Sequence, residues 1–331
     1  MVAYIVRRVI GAVLLLAITT MVTFGIFFLV PRLAGQTTDQ IAAQYVGRDP
    51  SPEEITLTKR RLGLDDPLVV QYGRFVKGLV AGTDYSYGPN TEFCPPPCFG
   101  YSFKYQRAVW PDLVDRFPVT LSLAVGAAAI WLVAGVAIGV LSALRKGTVF
   151  DRAAMITALA GVSLPIFFTG LLTLAFIRPE GVVFVPFTEN PPAWAGNLLL
   201  PWVTLAFLFA AGYARLTRAT MLETVGEDYI RTARAKGLPE RTVIGKHALR
   251  ATMTPTLTMF GLDLGLLLGG AVLTESTYSL PGLGKYAVDA IRQNDLPQIL
   301  GVTTLAAFFI VVANLVVDLL YAVVDPRVRL G

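Results

Sequence analysis

Residues 119–144 read VTLSLAVGAAAIWLVAGVAIGVLSAL, a stretch without a charged side chain. About 20 consecutive apolar residues are enough for an α-helix to cross the hydrocarbon core of a bilayer. A strand of a membrane β-barrel would be shorter and would alternate apolar with polar residues, which this stretch does not do. The stretch therefore predicts a membrane-spanning helix.

Five further apolar stretches accompany it along the 331-residue chain. The six predicted spans are Val9–Val30, Val119–Leu144, Ala153–Ile177, Asn197–Leu216, Ala251–Leu273 and Ile299–Val324. Only 15% of the residues are charged, whereas a soluble domain carries about 25%. The sequence predicts an all-α, multi-pass membrane protein with six transmembrane helices.

Lysine and arginine residues predict the orientation, because short cytoplasmic loops are enriched in them. Arg7 and Arg8 precede the first span, and eight basic residues lie between Arg215 and Arg250. Both termini are therefore predicted to be cytoplasmic. The net charge of +5 is explained by contact with anionic membrane lipid and does not require nucleic acid as a partner.

Hydropathy divides the chain into parts of different character. They are the N-terminus with the first span (1–30), an extracytoplasmic subdomain (31–117), the membrane core (118–324) with an inner loop at 217–250, and a cytoplasmic tail (325–331). In the outer subdomain, the run Ser51-Pro52-Glu53-Glu54 predicts a capped helix start. Apolar residues at helical spacing between Leu68 and Leu79 predict a second, amphipathic helix.

Cys94 and Cys98, the two cysteines of the chain, flank three prolines in the outer subdomain. An oxidising compartment favours a disulfide between them. The stiff prolines oppose it, because the two Cα atoms must approach within about 7 Å. Free thiols are an alternative, and a metal site is the weakest one because two ligands alone hold a metal poorly. No metal site is predicted elsewhere.

Residues 227–237 read EDYIRTARAKG and form a polar segment between apolar spans. A helix here places Glu227 and Asp228 at its positive end and Arg234 near its negative end. Gly237 supplies a helix stop, and Pro239 is placed to start a second helix over 239–247. The segment is either a solvated loop or, as its charge order favours, a docking element for a partner in water.

The same segment resembles the cytoplasmic loop motif of ABC-importer permeases. Their general motif is Glu-Ala-Ala, three residues, Gly, nine residues, Ile-x-Leu-Pro, of which this chain keeps Ala233, Gly237 and Leu249. The oligopeptide/dipeptide branch reads Glu-Asp-Tyr-(Val/Ile)-Arg-Thr-Ala-x-Ala-Lys-Gly, which the chain matches at nearly every position. Further matching segments extend over almost the whole chain: 60–68, 116–121, 163–165, 275–284 and 325–331. The subdomain after the first span is similar to that of the B-type subunit, whereas the Cys94–Cys98 insertion departs from the family pattern.

This resemblance implies a type I ABC importer permease in a bacterial cytoplasmic membrane, importing di- or oligopeptides by alternating access. It implies four kinds of partner: a homologous second permease, two cytosolic ATPase subunits, an extracytoplasmic peptide-binding protein and the peptide. It also implies that the inner segment is a coupling helix that docks on an ATPase. The residues assigned to coupling are Glu227, Asp228, Tyr229, Ala233, Ala235, Lys236 and Gly237.

A phosphate-binding loop is not found in the chain. The pair Gly284-Lys285 is followed by tyrosine and lies in an outer loop, so it does not fit the pattern. We therefore expect a non-catalytic subunit without a cofactor of its own, with ATP and Mg²⁺ bound by the partner ATPases.

Ionisable residues inside predicted spans are costly to bury and point to function. Asp263 lies near the middle of the fifth span, where it either faces a translocation cavity or is hydrogen-bonded between helices. On the sixth span Asn314, Asp318 and Tyr321 share a helix face, which favours an interhelical polar clamp over a substrate site.

Two other functions remain open. A related permease for nickel or another small solute would have a similar sequence, although metal-ligand clusters are not evident. An ion-coupled secondary transporter would carry ionisable residues deep in several spans, and Asp263 is the one candidate near mid-membrane.

Overall fold

The structure is a computed structural model that describes residues 2–46, 50–87 and 90–324. Its α-helices are α1 Val2–Leu33, α2 Thr38–Val46, α3 Pro52–Leu62, α4 Leu68–Ala81, α5 Val109–Leu144, α6 Val149–Ser163, α7 Ile166–Phe176, α8 Pro191–Val225, α9 Asp228–Ala235, α10 Glu240–Thr242, α11 Leu249–Leu268, α12 Val272–Thr277, α13 Leu283–Gln293 and α14 Leu296–Val324. A π-helical segment, Val243–Ala248, joins α10 to α11. Two small antiparallel sheets pair β1 Thr83–Tyr87 with β2 Asn90–Cys94, and β3 Tyr101–Ser102 with β4 Arg107–Ala108. The predicted tail, 325–331, lies outside the described residues.

Five helical segments of the described chain are long and apolar enough to cross a membrane. They are Ile5–Leu33, Val109–Leu144, Pro191–Val225, Glu240–Leu268 and Leu296–Val317. A sixth span is formed if α6 and α7 count together. The fold is therefore the expected all-α membrane fold.

The predicted continuous span at Ala153–Ile177 is wrong in one respect. The chain bends by 99° between α6 and α7. Leu164, at the bend, has extended backbone angles (φ −86°, ψ 128°). Pro165 explains the bend, because its ring disfavours a helical conformation for the preceding residue.

The predicted boundaries of the fifth span also need correction. The expected separate helix at 239–247 instead runs through the π-helical segment into α11, so that Glu240–Leu268 is one long segment. At its other end α11 stops at Leu268 rather than Leu273. Gly270 there has a positive φ of 127°, and a Cβ on it would lie 2.7 Å from the backbone of Gly284. The helix ends where the chain must turn tightly against the start of α13.

The segment between α1 and α5 folds as its local signals predict. Ser51 caps α3 by accepting a hydrogen bond from the backbone N–H of Glu54, whose side chain accepts one from the backbone N–H of Ser51. The amphipathic α4 forms, and its inner side packs on α1 through Phe75 and Phe24. Cys94 and Cys98 are joined by a disulfide, with their Cα atoms 5.6 Å apart.

The centre of the membrane core lies between α5 and α8. Trp131 of α5 is fully buried and stacks on Phe209 of α8, with the ring centroids 4.7 Å apart. Trp202 of α8 donates from Nε1 to the carbonyl of Ser122, 2.9 Å away. Aromatic packing and interhelical hydrogen bonds thus hold the two longest helices of the core together.

A small-residue face holds α11 against α14, as expected from the four-residue spacing of Gly261, Gly265 and Gly269. A Cβ built at Gly265 would lie 2.6 Å from the Cβ of Ala313. One built at Gly269 would lie 2.8 Å from that of Ala306. These glycines let the two helices approach closely.

We expect Gly265→Ala to lower the thermal unfolding midpoint in detergent, because overpacking costs about 1–3 kcal/mol. The matched control is Gly196→Ala in α8, where a Cβ meets no atom within 4 Å. The control should be neutral or stabilising, since alanine favours a helix more than glycine does. Equal midpoints for the two variants would contradict the close-packing role of Gly265.

Candidate functional site

The polar segment 227–237 forms the helix α9 and the turn that follows it. Glu227 is the N-cap residue, and Asp228 lies in the first turn, where its negative charge suits the helix dipole. Gly237 has a positive φ of 75°, a conformation that glycine adopts without steric cost. The sequence signals for the start and end of this helix are confirmed.

An ion pair closes the turn between α9 and α10. Arg234 donates from Nη2 and Nε to the two carboxylate oxygens of Glu240, at 2.7 and 3.2 Å. The pair fixes the direction in which the chain leaves α9.

One face of α9 packs on its own chain. Ile230 is fully buried, and Ala233 is 8% exposed, in a cluster that includes Met221 of α8 and Val243 and Ala248 of the π-helical segment. Ala233, one of the residues assigned to coupling, therefore lies on the packed side of α9, and its role in coupling stays a prediction. Its methyl group lets α9 sit close to the end of α8.

The opposite face of α9 is exposed and carries the other residues assigned to coupling. These are Glu227, Asp228, Tyr229, Ala235, Lys236 and Gly237. Tyr229 is 47% exposed, and Leu238, which the sequence reasoning missed, is also exposed. Leu238 could have been noticed as an apolar residue directly after the helix stop. Together these residues form what we call the α9 surface, which is acidic at its N-terminal end and basic at Lys236, with Tyr229 and Leu238 as its large apolar side chains.

A second ion pair, between Asp151 of α6 and Arg218 of α8, lies close to the base of α9. Arg218 donates from Nε to Oδ1 of Asp151 at 2.6 Å and from Nη2 to Oδ2 at 2.7 Å. The backbone N–H of Gly147 donates to the same carboxylate at 2.9 Å. Sequence reasoning missed this pair, because its members are 67 positions apart. The pair ties the start of α6 to the helix that carries α9.

Glu275 of α12 is the centre of a hydrogen-bond network at the other end of the core. Its buried carboxylate accepts from Thr120 Oγ1 at 2.8 Å and from the backbone N–H groups of Lys285 and Ala271 at 2.9 and 3.2 Å. Because α12 and α13 are short and joined by a turn, these bonds hold the turn against α5.

Asp263 is not an isolated charge. Its Oδ2 accepts a hydrogen bond of 2.8 Å from the hydroxyl of Tyr213, which is fully buried in α8. Asp263 itself is half-buried. This contact agrees with the prediction that Asp263 is hydrogen-bonded between helices. A role for Asp263 in the translocation path stays a prediction.

Two sequence models of known protein families match the chain. A sequence model described as "Binding-protein-dependent transport system inner membrane component" matches residues 135–330. The N-terminal model of the same transport components matches residues 1–124. The chain belongs to this family.

Curated relatives of the permease cover almost its whole length. The dipeptide transport system permease protein DppB of Escherichia coli K12 is 36% identical, over 94% of each chain. A putative peptide transport system permease protein of Brucella abortus is 38% identical, over 99% of each chain. Among solved structures, the MetNI methionine ABC transporter matches with a TM-score of 0.52 at 19% identity, over 64% of the permease and 96% of that chain. This likeness shows that the permease has the fold of an ABC importer permease, a multi-pass inner-membrane component.

The remaining predicted site residues lie near the end of α14. Asn314 is half-buried on that helix, whereas the side chains of Asp318 and Tyr321 lie outside the described part of the permease. The polar clamp therefore stays a prediction. Within residues 2–46, 50–87 and 90–324, no group of three or more His, Cys, Asp or Glu side chains is arranged to hold a metal ion.

A double-mutant cycle tests the Asp151–Arg218 pair. Asp151→Ala and Arg218→Ala should each lower the unfolding midpoint of the purified permease, because each leaves a partly buried charge without its partner. The double variant should lose clearly less than the sum of the two losses. Arg215→Ala, one helical turn away and exposed, is the control. Additive losses for Asp151 with Arg218 would show that the pair is not coupled.

Proposed function

We propose that the permease is the membrane subunit of an ABC importer that translocates di- or oligopeptides. The observation that carries the proposal is a sequence identity of 36–38%, over nearly the full chain, with permeases named for dipeptide and peptide transport. The α9 surface supports the coupling part of the proposal, because it is an exposed docking face on a packed base.

The permease works in this proposal with four partner chains. A homologous second permease completes the pathway, two cytosolic ATPase subunits bind ATP and Mg²⁺, and an extracytoplasmic protein delivers the peptide. The permease binds no cofactor of its own. Its termini and the α9 surface lie in the cytoplasm, in agreement with the distribution of lysine and arginine residues.

Movement passes from the ATPase to the membrane helices through contacts described above. ATP binding closes the ATPase pair and displaces α9. Ile230 and Ala233 pass the displacement to Met221 of α8, because the three residues belong to one packed cluster. The Arg218–Asp151 pair then couples α8 to α6. The core opens outward to receive peptide, and hydrolysis returns it to the inward-facing state.

Gly237 provides a test of coupling that separates backbone shape from side-chain volume. A Cβ at Gly237 meets no atom within 4 Å of its own chain, so only the positive φ restricts substitution. Asparagine tolerates this conformation, whereas β-branched valine does not. We expect Gly237→Val to lower the ratio of peptide imported to ATP hydrolysed by several-fold and Gly237→Asn to keep it near the original value.

The ratio would be measured with the full complex in proteoliposomes, and circular dichroism would confirm that both variants fold. An unchanged ratio for Gly237→Val would contradict a coupling role for this turn. Loss in both variants would mean that the partner packs directly on position 237.

The substrate is tested by uptake into the same proteoliposomes. A labelled dipeptide should accumulate only with ATP and the binding protein present, and labelled Ni²⁺ serves as the competing substrate. ATP-driven accumulation of Ni²⁺ without accumulation of peptide would overturn the peptide proposal.

A further inference from the structure

Helix α4 lies beside the middle of α1 rather than beyond its end. The hydroxyl of Tyr72 donates to the carbonyl of Ala17 at 3.2 Å and lies 3.0 Å from Thr20 Oγ1. The rings of Tyr72 and Phe75 pack on Phe24, with centroids 5.5 and 5.9 Å away. Thr20 is roughly 20 Å along the helix axis from the last residue of α1, at 1.5 Å per residue. The position of α4 along α1 is therefore within the length of a membrane span.

The part of α1 beside α4 also has an uncovered apolar face. Met21, Val22, Ile26 and Val30 are each more than half exposed. In a membrane-spanning helix such a face contacts acyl chains, because water would leave it without favourable contacts. Lipid therefore surrounds α1 at the level where α4 contacts it.

The outer face of α4 is apolar as well. Val69 is 81% exposed and Val80 is 76% exposed, and Val76 between them is also exposed. Positions 69, 76 and 80 share one face of a helix. Lys77 lies beside this face, whereas Arg74 lies away from it and pairs with Asp66 at 2.6 Å. A helix with an apolar face and a lysine at its border is suited to contact with lipid.

The disulfide loop extends this apolar face. The backbone N–H of Cys98 donates to the carbonyl of Gly78 in α4 at 3.1 Å. A Cβ built at Gly82, just after α4, would lie 2.6 Å from the carbonyl oxygen of Cys94 and 2.8 Å from the ring of Phe93. The loop is thus seated on the last turn of α4. Phe93, which is 56% exposed, lies beside Gly82, just after the end of α4.

We propose that α4 and Phe93 form a membrane-binding surface that is immersed in lipid between the middle of α1 and the headgroup layer at its C-terminal end. Val69, Val76, Val80 and Phe93 contact the outer ends of the acyl chains, and Lys77 reaches the lipid phosphates. Helix α4 enters the lipid without crossing the bilayer, because 14 residues span only about 21 Å. The disulfide loop holds Phe93 in this surface. The proposal does not depend on the substrate or on which side of the membrane is cytoplasmic.

Site-directed spin labelling tests the position of α4. Both cysteines of the chain are in the disulfide, so one introduced cysteine gives one reactive thiol. Val69→Cys and Val80→Cys would each be labelled with a nitroxide. Glu53→Cys, exposed at the start of α3, is the water control, and Val13→Cys, exposed on α1, is the acyl-chain control. The full-length chain, with the subunits that co-purify, would be placed in vesicles of phosphatidylethanolamine and phosphatidylglycerol.

The measurement compares collisions of the nitroxide with oxygen, which concentrates in lipid, and with a water-soluble nickel complex. We expect the ratio of oxygen to nickel collisions at positions 69 and 80 to exceed that at position 53 by several-fold and to remain below that at position 13. A ratio equal to that at position 53 would place α4 in water and overturn the proposal. Low collision rates with both reagents would show that a protein covers the surface and would overturn it equally.

Discussion

Hydrocarbon offers no hydrogen bonds to the backbone, so each N–H and C=O group at membrane depth must find a partner within the protein. The long helices α5, α8 and α14 meet this constraint through their own backbone hydrogen bonds. Where a helix stops, side chains must provide the missing hydrogen-bond partners. Between α11 and α13 the carboxylate of Glu275 accepts from the backbone N–H groups of Ala271 and Lys285. A buried acidic side chain thus supplies acceptors that a continuous helix would have provided. The irregular turn is stable in the core because of it.

The α9 surface is well defined although it lies outside the core. A short helix is marginal by itself, because few of its hydrogen bonds offset the entropy of ordering the chain. In α9 the burial of Ile230 against α8 and the π-helical segment supplies the missing stability. The ion pair between Arg234 and Glu240 then fixes the following turn. Tyr229 and Lys236 are therefore presented from a rigid base, which a docking surface requires.

Much of this fold could be predicted from the sequence, because its signals are local. Apolar length marks the spans, and Ser51 with Glu54 marks the start of α3. The burial of Ala233 was also within reach, since it follows Ile230 by three positions and shares its helix face. The bend at Pro165 was hidden because hydropathy continues unbroken through it.

Contacts between distant segments were beyond such reasoning. Neither Asp151 nor Arg218 carries a local signal of its partner, and Glu275 has hydrogen-bond partners on both sides of a turn and in α5. Which residues meet there depends on how whole helices pack, and a single sequence does not reveal that packing. The same holds for the orientation of Tyr213 toward Asp263.

Helix α8 has a mechanical consequence that follows from its length alone. Its 35 residues extend for roughly 52 Å, while the hydrocarbon core is about 30 Å thick. The helix therefore protrudes from the bilayer, and Gly226 alone separates its last residue, Val225, from Glu227, the N-cap of α9. If it pivots near its middle, a tilt of about 10° moves its two ends by roughly 4–5 Å in opposite directions. If α8 moves as one body, a displacement at α9 is therefore accompanied by an opposite displacement of Pro191, at the far end of the helix.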